Sequence, residues 1–490
     1  MSNGTSVRRD ASKMTEWDPA LYWYARAVGR MQQRPETDPT SWVFQGCIHG
    51  VPPTVTVRND AFNQCPHGGW FFLPWHRGYL WYFERIIRAA IREIAAEEHI
   101  TPDPSTSWAL PYWNYALDAP TRTRPTSFTS RALPAAFRSP RMPARSGGTD
   151  LTLDNPLFLR DDLDPPDEEF WAAPYRAKGK NSAFETNIYR DINPFTAMSE
   201  TIFAATKSRP RVQPTFGSEI TYTDMPHFQP AFGDLENAPH NQVHGGVGGW
   251  MGRVESSPRD PIFWLHHANL DRLWSGWLDK GNHNPDHTSW LDHEFIFFDE
   301  GGQEQRPSCT AVLNNAGDYS YESLTDGVGT RPLFVPPPGA PQAGRRVLAT
   351  VGNPRQLLDV REPTTVEPSG VEGAMRSVAA SDEPQTNLIL TVHGVHTNMP
   401  PGTPFHVFLN GPTGDLDPEG PYFVGWISFF GMAGAGGHDA SYDVTEQVQR
   451  LTEQGLLPEG PLTVSIVPSI PQPATVGPKP SFESVSITSI

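Results

Sequence analysis

A mainly α core organised as a four-helix bundle with long loops, followed by an all-β, sandwich-like C-terminal domain, is the architecture this sequence predicts. Three observations carry that expectation. Apolar residues recur at helical spacing in stretches of the first 280 positions. A proline-rich break, Pro336-Pro337-Pro338-Gly339, falls within 331–346. Beyond it come short β-like runs separated by Gly and Pro. The division is therefore a helical domain over 1–330, a linker over 331–346 and a β domain over 347–490.

Taken in order, residues 1–18 read as a loose arm. From Pro19 to Gln33, Leu21, Tyr24, Ala25, Val28 and Met31 fall on one helix face. Pro74–Glu98 is the clearest helix: Leu80, Phe83, Ile87, Ile91 and Ile94 form a stripe, and Arg85, Arg88, Arg92 and Glu93 lie mostly off it. The Pro/Arg/Ser-rich stretch 119–185 reads as surface loops. A third helix is expected near Pro239, with Asn237 as its cap and proline in the first turn. The fourth spans Asp260 to Lys280, with Phe263, Leu270, Leu273, Trp274 and Leu278 on its apolar side. Strands are expected at Asn387–Val395, Pro404–Asn410, Tyr422–Phe430, Leu462–Val467 and Phe482–Ile490.

Composition narrows the function. The chain has 490 residues, 37% hydrophobic and 19% charged, enough to bury a core and too apolar for disorder. A net charge of −17 argues against nucleic acid or an anionic membrane as partner, since both demand clustered Lys and Arg. Three cysteines, Cys47, Cys65 and Cys309, exclude a disulfide framework. Neither a secretory leader nor an apolar run of ~18 residues is visible, so the expectation is a soluble, cytoplasmic protein. The sequence leaves the oligomeric state open.

Sixteen histidines are placed unevenly. His49, His67 and His76 form one group in the helical half. His240, His244 and His267 form another, in which His240 and His244 stand at i and i+4 on one helix face. Two all-nitrogen triads could hold two metal ions, of a kind that suits copper, zinc or iron rather than magnesium or calcium. A lone HxxxH arises often by chance; two triads in long, specific contexts do not.

Those contexts resemble the type 3 copper family of tyrosinases, catechol oxidases and hemocyanins. Cys65-Pro66-His67-Gly68-Gly69-Trp70-Phe71-Phe72-Leu73-Pro74-Trp75-His76-Arg77-Gly78-Tyr79-Leu80, with Phe83-Glu84 after it, is similar to the family's first copper signature. His240-Asn241-Gln242-Val243-His244 with Asp260-Pro261-Ile262-Phe263-Trp264-Leu265-His266-His267-Ala268-Asn269-Leu270-Asp271-Arg272 resembles the second. Leu110-Pro111-Tyr112-Trp113-Asn114-Tyr115 resembles the connecting motif, with Asn114 where Asp is usual, and Tyr319-Ser320-Tyr321 the Tyr-x-Tyr that closes the core. The C-terminal part resembles more weakly the β domain that shields the site in long members.

The resemblance implies a dicopper core. His49, His67 and His76 would bind one copper ion, and His240, His244 and His267 the other, with O2 as co-substrate and a small phenol as substrate. His266 would be a hydrogen-bonded core residue. Glu236 and Asn241 would together hold a water that deprotonates a monophenol; the alternative for Glu236 is an acid favoured by the helix dipole, worth ~0.3–1 kcal/mol, and for Asn241 an exposed helix residue. Val254, thirteen residues before His267, stands where members carry a side chain overhanging the copper pair; its small size would admit phenols. Arg253 beside it reads as exposed. Cys65, two residues before His67, would form a thioether to that ring or remain a buried thiol, with Cys47 a competitor and Cys309 inert. Asp271 would orient a ligand histidine or pair with Arg272. Phe429, Phe430 and Met432 are candidates for a plug from the β domain. His393, His396, His406 and His438 read as strand or surface residues.

The implied function is a copper phenol oxidase that hydroxylates monophenols, oxidises o-diphenols to o-quinones, or both. An o-aminophenol oxidase is not separable by sequence. The alternative from another class is a hemocyanin-like reversible dioxygen carrier. A dinuclear zinc hydrolase lacks its bridging carboxylates.

Overall fold

The structure, a computed structural model, describes residues 6–116, 132–162, 174–176, 192, 194–206, 215–221, 232–328, 346–352, 356–359, 362–368, 388–398, 405–412, 416–417, 420–430, 438–457, 462–468 and 480–489. The chain divides into two units, one ending at Gly329 and the other carrying Thr330–Ile490.

In the first unit, local signals start the helices. Asp18 accepts the Ala20 N–H at 2.9 Å and Pro19 supplies a preset φ, which opens α1 (Pro19–Gln32). Ser41 Oγ accepts the Phe44 N–H at 3.1 Å and opens α2 (Trp42–His49). The expected stripe of α3 (Phe72–Glu97) is buried: Leu80, Phe83, Ile87, Ile91 and Ile94 all lie inside. Arg30 pairs with Glu97 at 2.5 Å and so ties α1 to the outer face of α3. The helix α4 (Gln242–Val247) continues a π-wound turn, Glu236–Asn241. The cap expected at Asn237 is displaced, because Ala238 leaves helical geometry (φ −143°, ψ 121°) and the helix restarts at Pro239. The last long helix, α5 (Ile262–Asp279), packs on α3 through Phe83 and Trp264, whose rings stack at 3.4 Å and 7°. Such aromatic faces dominate the core around the histidines.

From Ser6 onward the arm read as loose is anchored, residues 1–5 lying outside the described residues. Ser6–Arg8 forms β1, pairing parallel to β2 (Tyr319–Tyr321). Arg8 is fully buried, its guanidinium 2.8 Å from Glu84 and 3.7 Å above the Tyr319 ring. A single arginine in a polar stretch gives no sequence signal of such anchoring. Of 119–185, residues 119–131, 163–173 and 177–185 lie outside the described residues; Arg141–Pro143 and Leu151–Asp154 pair as a hairpin.

The second unit holds two antiparallel four-stranded sheets. The strands are β3 (Arg346–Val351), β4 (Thr364–Val366), β5 (Leu388–Val395), β6 (Phe405–Leu409), β7 (Phe423–Ile427), β8 (His438–Asp443), β9 (Val464–Pro468) and β10 (Ser484–Ser489). One sheet runs β8-β5-β10-β3 and the other β7-β6-β9-β4. Tyr442 on β8 donates to the Trp426 carbonyl on β7 at 2.6 Å, linking the sheets. The all-β expectation needs one correction, a helix at Thr445–Glu453. Phe429 is committed to this unit's core against Phe405 (5.6 Å), and Phe430 is buried; Met432 lies outside the described residues. His393 hydrogen-bonds Asp439 and Ser486 at 2.8 and 2.7 Å, and His406 packs edge-on to Trp426. No helix among the described residues is long and apolar enough to cross a membrane.

Candidate metal centre

Four helices and one loop deliver the histidines to a single buried place in the first unit. His49 ends α2, His76 lies in the first turns of α3, and His240 and His244 span the π-wound turn and α4. His266 and His267 lie in α5. His67 comes from the loop before α3, where the chain doubles back: Gln64 N–H donates to the Ile48 carbonyl at 2.8 Å and Asn63 N–H to that of Cys47 at 3.1 Å.

The rings face one another closely. His49 and His67 centroids are 5.3 Å apart, His67 and His240 5.9 Å, and His76 stacks on His267 at 4.2 Å. All six expected ligands are buried, at 4% exposure or less. Phe72 and Phe263 wall the cluster, 4.7 Å from His240 and 4.2 Å from His267.

Backbone carbonyls set the tautomers. His49 Nδ1 lies 2.9 Å from the Val254 carbonyl oxygen, His76 Nδ1 2.8 Å from that of Phe72, and His244 Nδ1 2.8 Å from that of Met251. His240 Nδ1 faces Asn241 Oδ1 at 2.8 Å and the Glu236 carbonyl at 3.2 Å. A carbonyl only accepts, so each Nδ1 carries the proton and Nε2 keeps its lone pair, the ligand form. Burial depresses the pKa of His76 to about 3 and lowers those of His240, His244 and His267 well below the ordinary range, so the rings stay neutral.

The donor set fits metal. Potential ligand atoms of His240, His244, His266 and His267 lie within 4.8 Å of one another, and those of His49, Cys65 and His67 do likewise. His244 Nε2 and His267 Nε2 stand 3.3 Å apart. Two nitrogens on a tetrahedral ion at a bond length of about 2.0–2.1 Å would be separated by about 3.3–3.4 Å. Among the described residues no further group of this kind appears.

Glu236 is fully buried, and its carboxylate accepts the Gly68 N–H at 2.9 and 3.0 Å and the Ser218 hydroxyl. Burial raises its pKa to about 8 against the pull of those two donors. Gly68 has φ +74°, which favours glycine and turns its N–H toward Glu236. Ser218 is the residue sequence reasoning missed. It receives the Gly233 N–H at 2.8 Å and donates to Glu236, yet lies in a short segment without any motif. Asn241 is buried rather than exposed, with no partner for its amide nitrogen among the described residues.

Other expectations change. Val254 bears on the centre through its carbonyl, which holds His49, and its side chain is buried at 4% exposure. Gly50 makes that approach possible: a Cβ there would stand 2.7 Å from the Val254 oxygen and from Glu255 Cα. Arg253 is half-buried. Cys65 Sγ lies 3.6 Å from both nitrogens of His67 and 3.5 Å from His76 Nε2, and burial raises its pKa. Cys47, with burial raising its pKa to about 12, and Cys309 are buried free thiols. Asp271 pairs with neither a histidine nor Arg272. It takes Arg77 at 2.6 Å, Arg8 at 3.4 Å and the Tyr319 and Tyr321 hydroxyls at 2.6 Å each. Arg272 instead bonds Asn269 and the Ser323 and Asp326 carbonyls. His266 is buried in the core, and among the described residues neither of its ring nitrogens has a hydrogen-bond partner.

Residues 39–280 match the family model described as the common central domain of tyrosinase, and residues 359–488 match a domain of unknown function (DUF7868). A tyrosinase of Hahella sp. (strain CCB-MM4) is 30% identical over 488 residues, covering 94% of this chain and 95% of that protein. The chain belongs to the tyrosinase family. The chloroplastic polyphenol oxidase of Malus domestica is 29% identical over 315 residues, 61% of this chain and 46% of that relative. Among solved structures, an oxygen-bound double mutant of Aspergillus oryzae pro-tyrosinase aligns with a TM-score of 0.61 at 17% identity, covering 99% of this chain and 92% of that one. Latent apple tyrosinase aligns at 0.54 and 20% identity, over 99% and 97%. Those two likenesses establish the fold. This tyrosinase-family chain is a copper oxidoreductase, with two copper ions as cofactor and O2 as co-substrate.

Proposed function

We propose that this enzyme hydroxylates monophenols at the ortho position and oxidises o-diphenols to o-quinones. His49, His67 and His76 hold one copper ion; His240, His244 and His267 hold the other. The bound pair supplies the two-electron chemistry with O2. The chain's own residues do the rest. Backbone carbonyls keep the imidazoles neutral and oriented, and the aromatic walls exclude water. Cys65, in contact with His67, forms a thioether that fixes this loop-borne ring.

The observation that carries the monophenol reading is Glu236, a buried carboxylate immobilised by the Gly68 N–H and the Ser218 hydroxyl beside the histidines. Once ionised, which its raised pKa of about 8 places at mildly alkaline pH, it holds with the Asn241 amide a water that takes the phenol proton, whose ordinary pKa is near ~10. A dioxygen carrier would gain nothing from such a base, and the relatives named above are enzymes by name. The test is copper analysis alongside initial rates on tyrosine, a catechol and an o-aminophenol. Two coppers per chain with turnover of tyrosine and catechol support the proposal. Reversible O2 uptake without turnover of any phenol overturns it.

A further inference from the structure

The dipeptide Tyr175-Arg176 lies within the Pro/Arg/Ser-rich stretch read as surface loops, yet Arg176 is fully buried. Its guanidinium grips Asp260, equally buried, through two bonds of 2.9 and 2.8 Å. It also donates to the Phe137 and Leu157 carbonyls at 2.8 and 3.1 Å. Asp260 in turn accepts the Ile262 N–H at 3.1 Å, at the start of α5. One residue before Arg176, the Tyr175 carbonyl accepts the Trp250 N–H at 3.0 Å. Gly249 makes room for that contact: a Cβ there would stand 2.5 Å from the Tyr175 oxygen. Two adjacent residues therefore clasp both ends of the segment 250–260, one by its backbone and the other by its side chain.

That segment carries a carbonyl for each histidine triad. Met251, next to the clasped Trp250, presents its oxygen to His244 Nδ1 at 2.8 Å, and Val254 presents its own to His49 Nδ1 at 2.9 Å. A buried ion pair is a poor source of net stability, because desolvation consumes most of the attraction. A planar guanidinium, however, fixes direction as well as distance through its rigid fork of donors. Groups that orient ligand histidines govern metal affinity.

We propose that Arg176 is a positioning residue: by clasping this segment it aims the Met251 and Val254 carbonyls, and through them one histidine of each copper position. This rests on His49 and His244 being ligands of the two ions. His76 serves as the internal reference, because its Nδ1 is held by the Phe72 carbonyl one turn earlier in its own helix.

The test compares the full-length wild type with Arg176→Lys, Arg176→Met and the charge-neutral pair Arg176→Met/Asp260→Asn. Each protein carries isotope-labelled histidine and is loaded with copper and held reduced. Solvent exchange of the ring Nδ1–H protons is read by NMR, with His49→Asn and His244→Asn assigning the two signals, and a Cu(I)-specific chelator reads the release of each ion. In Arg176→Met the His49 and His244 protons should exchange several-fold faster while that of His76 keeps its wild-type rate. Both ions should leave at least ~10-fold faster, within the range of about 10–100-fold that such orienting partners command. Lys, which keeps the charge and loses the fork, should fall between. The neutral pair should reproduce the pattern of Arg176→Met with a higher unfolding midpoint, because no charge is left buried alone, and it decides the matter should the single variant fail to accumulate. Wild-type exchange at His49 and His244, or wild-type release of both ions, in a folded variant overturns the proposal. So does equal acceleration at His76, which marks a general loosening of the core. Exchange is also read on the metal-free protein, so wild type that takes up fewer than two ions refutes the ligand reading while the clasp is still judged by exchange.

Discussion

Replacing Glu236 by Gln separates a base from a brace. The carboxylate accepts the Gly68 N–H at 2.9 and 3.0 Å and the Ser218 hydroxyl, and it does so fully buried. Gln keeps the size and one accepting oxygen. Above about pH 8, where Glu236 is ionised, hydrogen bonds to a charged group contribute about 1.5–3 kcal/mol and neutral ones about 0.5–1.5, so the substitution weakens the bracing there by about 1–2 kcal/mol per bond. Relief of the buried charge offsets part of that, and the net change in stability should stay within about 2 kcal/mol. The chemical loss is larger. A positioned base contributes about 10²–10⁴-fold, or about 2.7–5.4 kcal/mol of barrier at 1.36 kcal/mol per decade. Monophenol kcat/KM should therefore fall at least ~10²-fold, whereas catechol oxidation, which needs no such base, should stay within a few-fold. The assay is initial rates on both substrates at equal copper content, with thermal unfolding alongside. Proportional loss of both activities with copper retained would refute the argument, because Glu236 would then be acting only as a brace. Ser218→Ala should show the same selectivity at a smaller scale, since it loosens the carboxylate without removing it.

Asp271→Asn should destabilise the first unit by about 3–5 kcal/mol, the usual effect of breaking a buried ion pair, because Arg77 and Arg8 lose their shared counter-charge. Burial opposes the ionised form of Asp271, but the two arginines and two tyrosines win and hold its pKa below the ordinary value. That stability is present above the unfolded pKa of about 3.9 and lost as pH falls through the lower folded pKa. Urea midpoints of the two proteins should thus differ by a constant amount between pH 5 and 8 and converge below about pH 4; a gap that widens on acidification would contradict this sign. Gly50→Ala should push the Val254 carbonyl off His49 Nδ1 and weaken copper at the first position by about 10–100-fold, read by competition with a chelator; unchanged affinity would show that the carbonyl is dispensable. The copper-loaded, air-exposed protein should have an intact mass lower by two hydrogens than its sequence, and Cys65→Ser should not; equal deficits in both, or none in the wild type, would remove the thioether.

What could be read in the sequence follows from the range of the interactions involved. The stripe of α3 and the i, i+4 pair His240 and His244 are local, because one helix repeat brings the residues together. Strands such as Leu388–Val395 and Phe405–Leu409 came within a residue of their expected ends, since their composition already fits a half-buried pleat. His438–Asp443 pairs beside Leu388–Val395 but is a polar hexapeptide, and nothing inside it distinguishes a strand from a loop. Arg8 and Ser218 escaped for the same reason on a larger scale. Arg8 meets Glu84 across 76 positions and Asp271 across 263, and Ser218 meets Glu236 across 18, so no window of sequence contains both partners.

The surroundings of Asp271 and His266 escaped the sequence for a common reason. Along α5 the sequence offers only neighbours, Arg272 next to Asp271 and His267 next to His266. A helix sends adjacent side chains in different directions, so sequence neighbours are poor guides to partners. Asp271 faces α3 and the closing strand through Arg77, Tyr319 and Tyr321, and His266 faces the π-wound turn and α4 through His240 and His244. α5 thus serves the centre with two of its faces. One presents His267 to the rings, and another locks the helix to α3 and the N-terminal strand through a buried carboxylate. A ligand helix must not roll if nitrogens about 3.3 Å apart are to share an ion. The Asp271 cluster resists that roll, which makes the apparent stability of the first unit and its copper affinity two readings of one constraint.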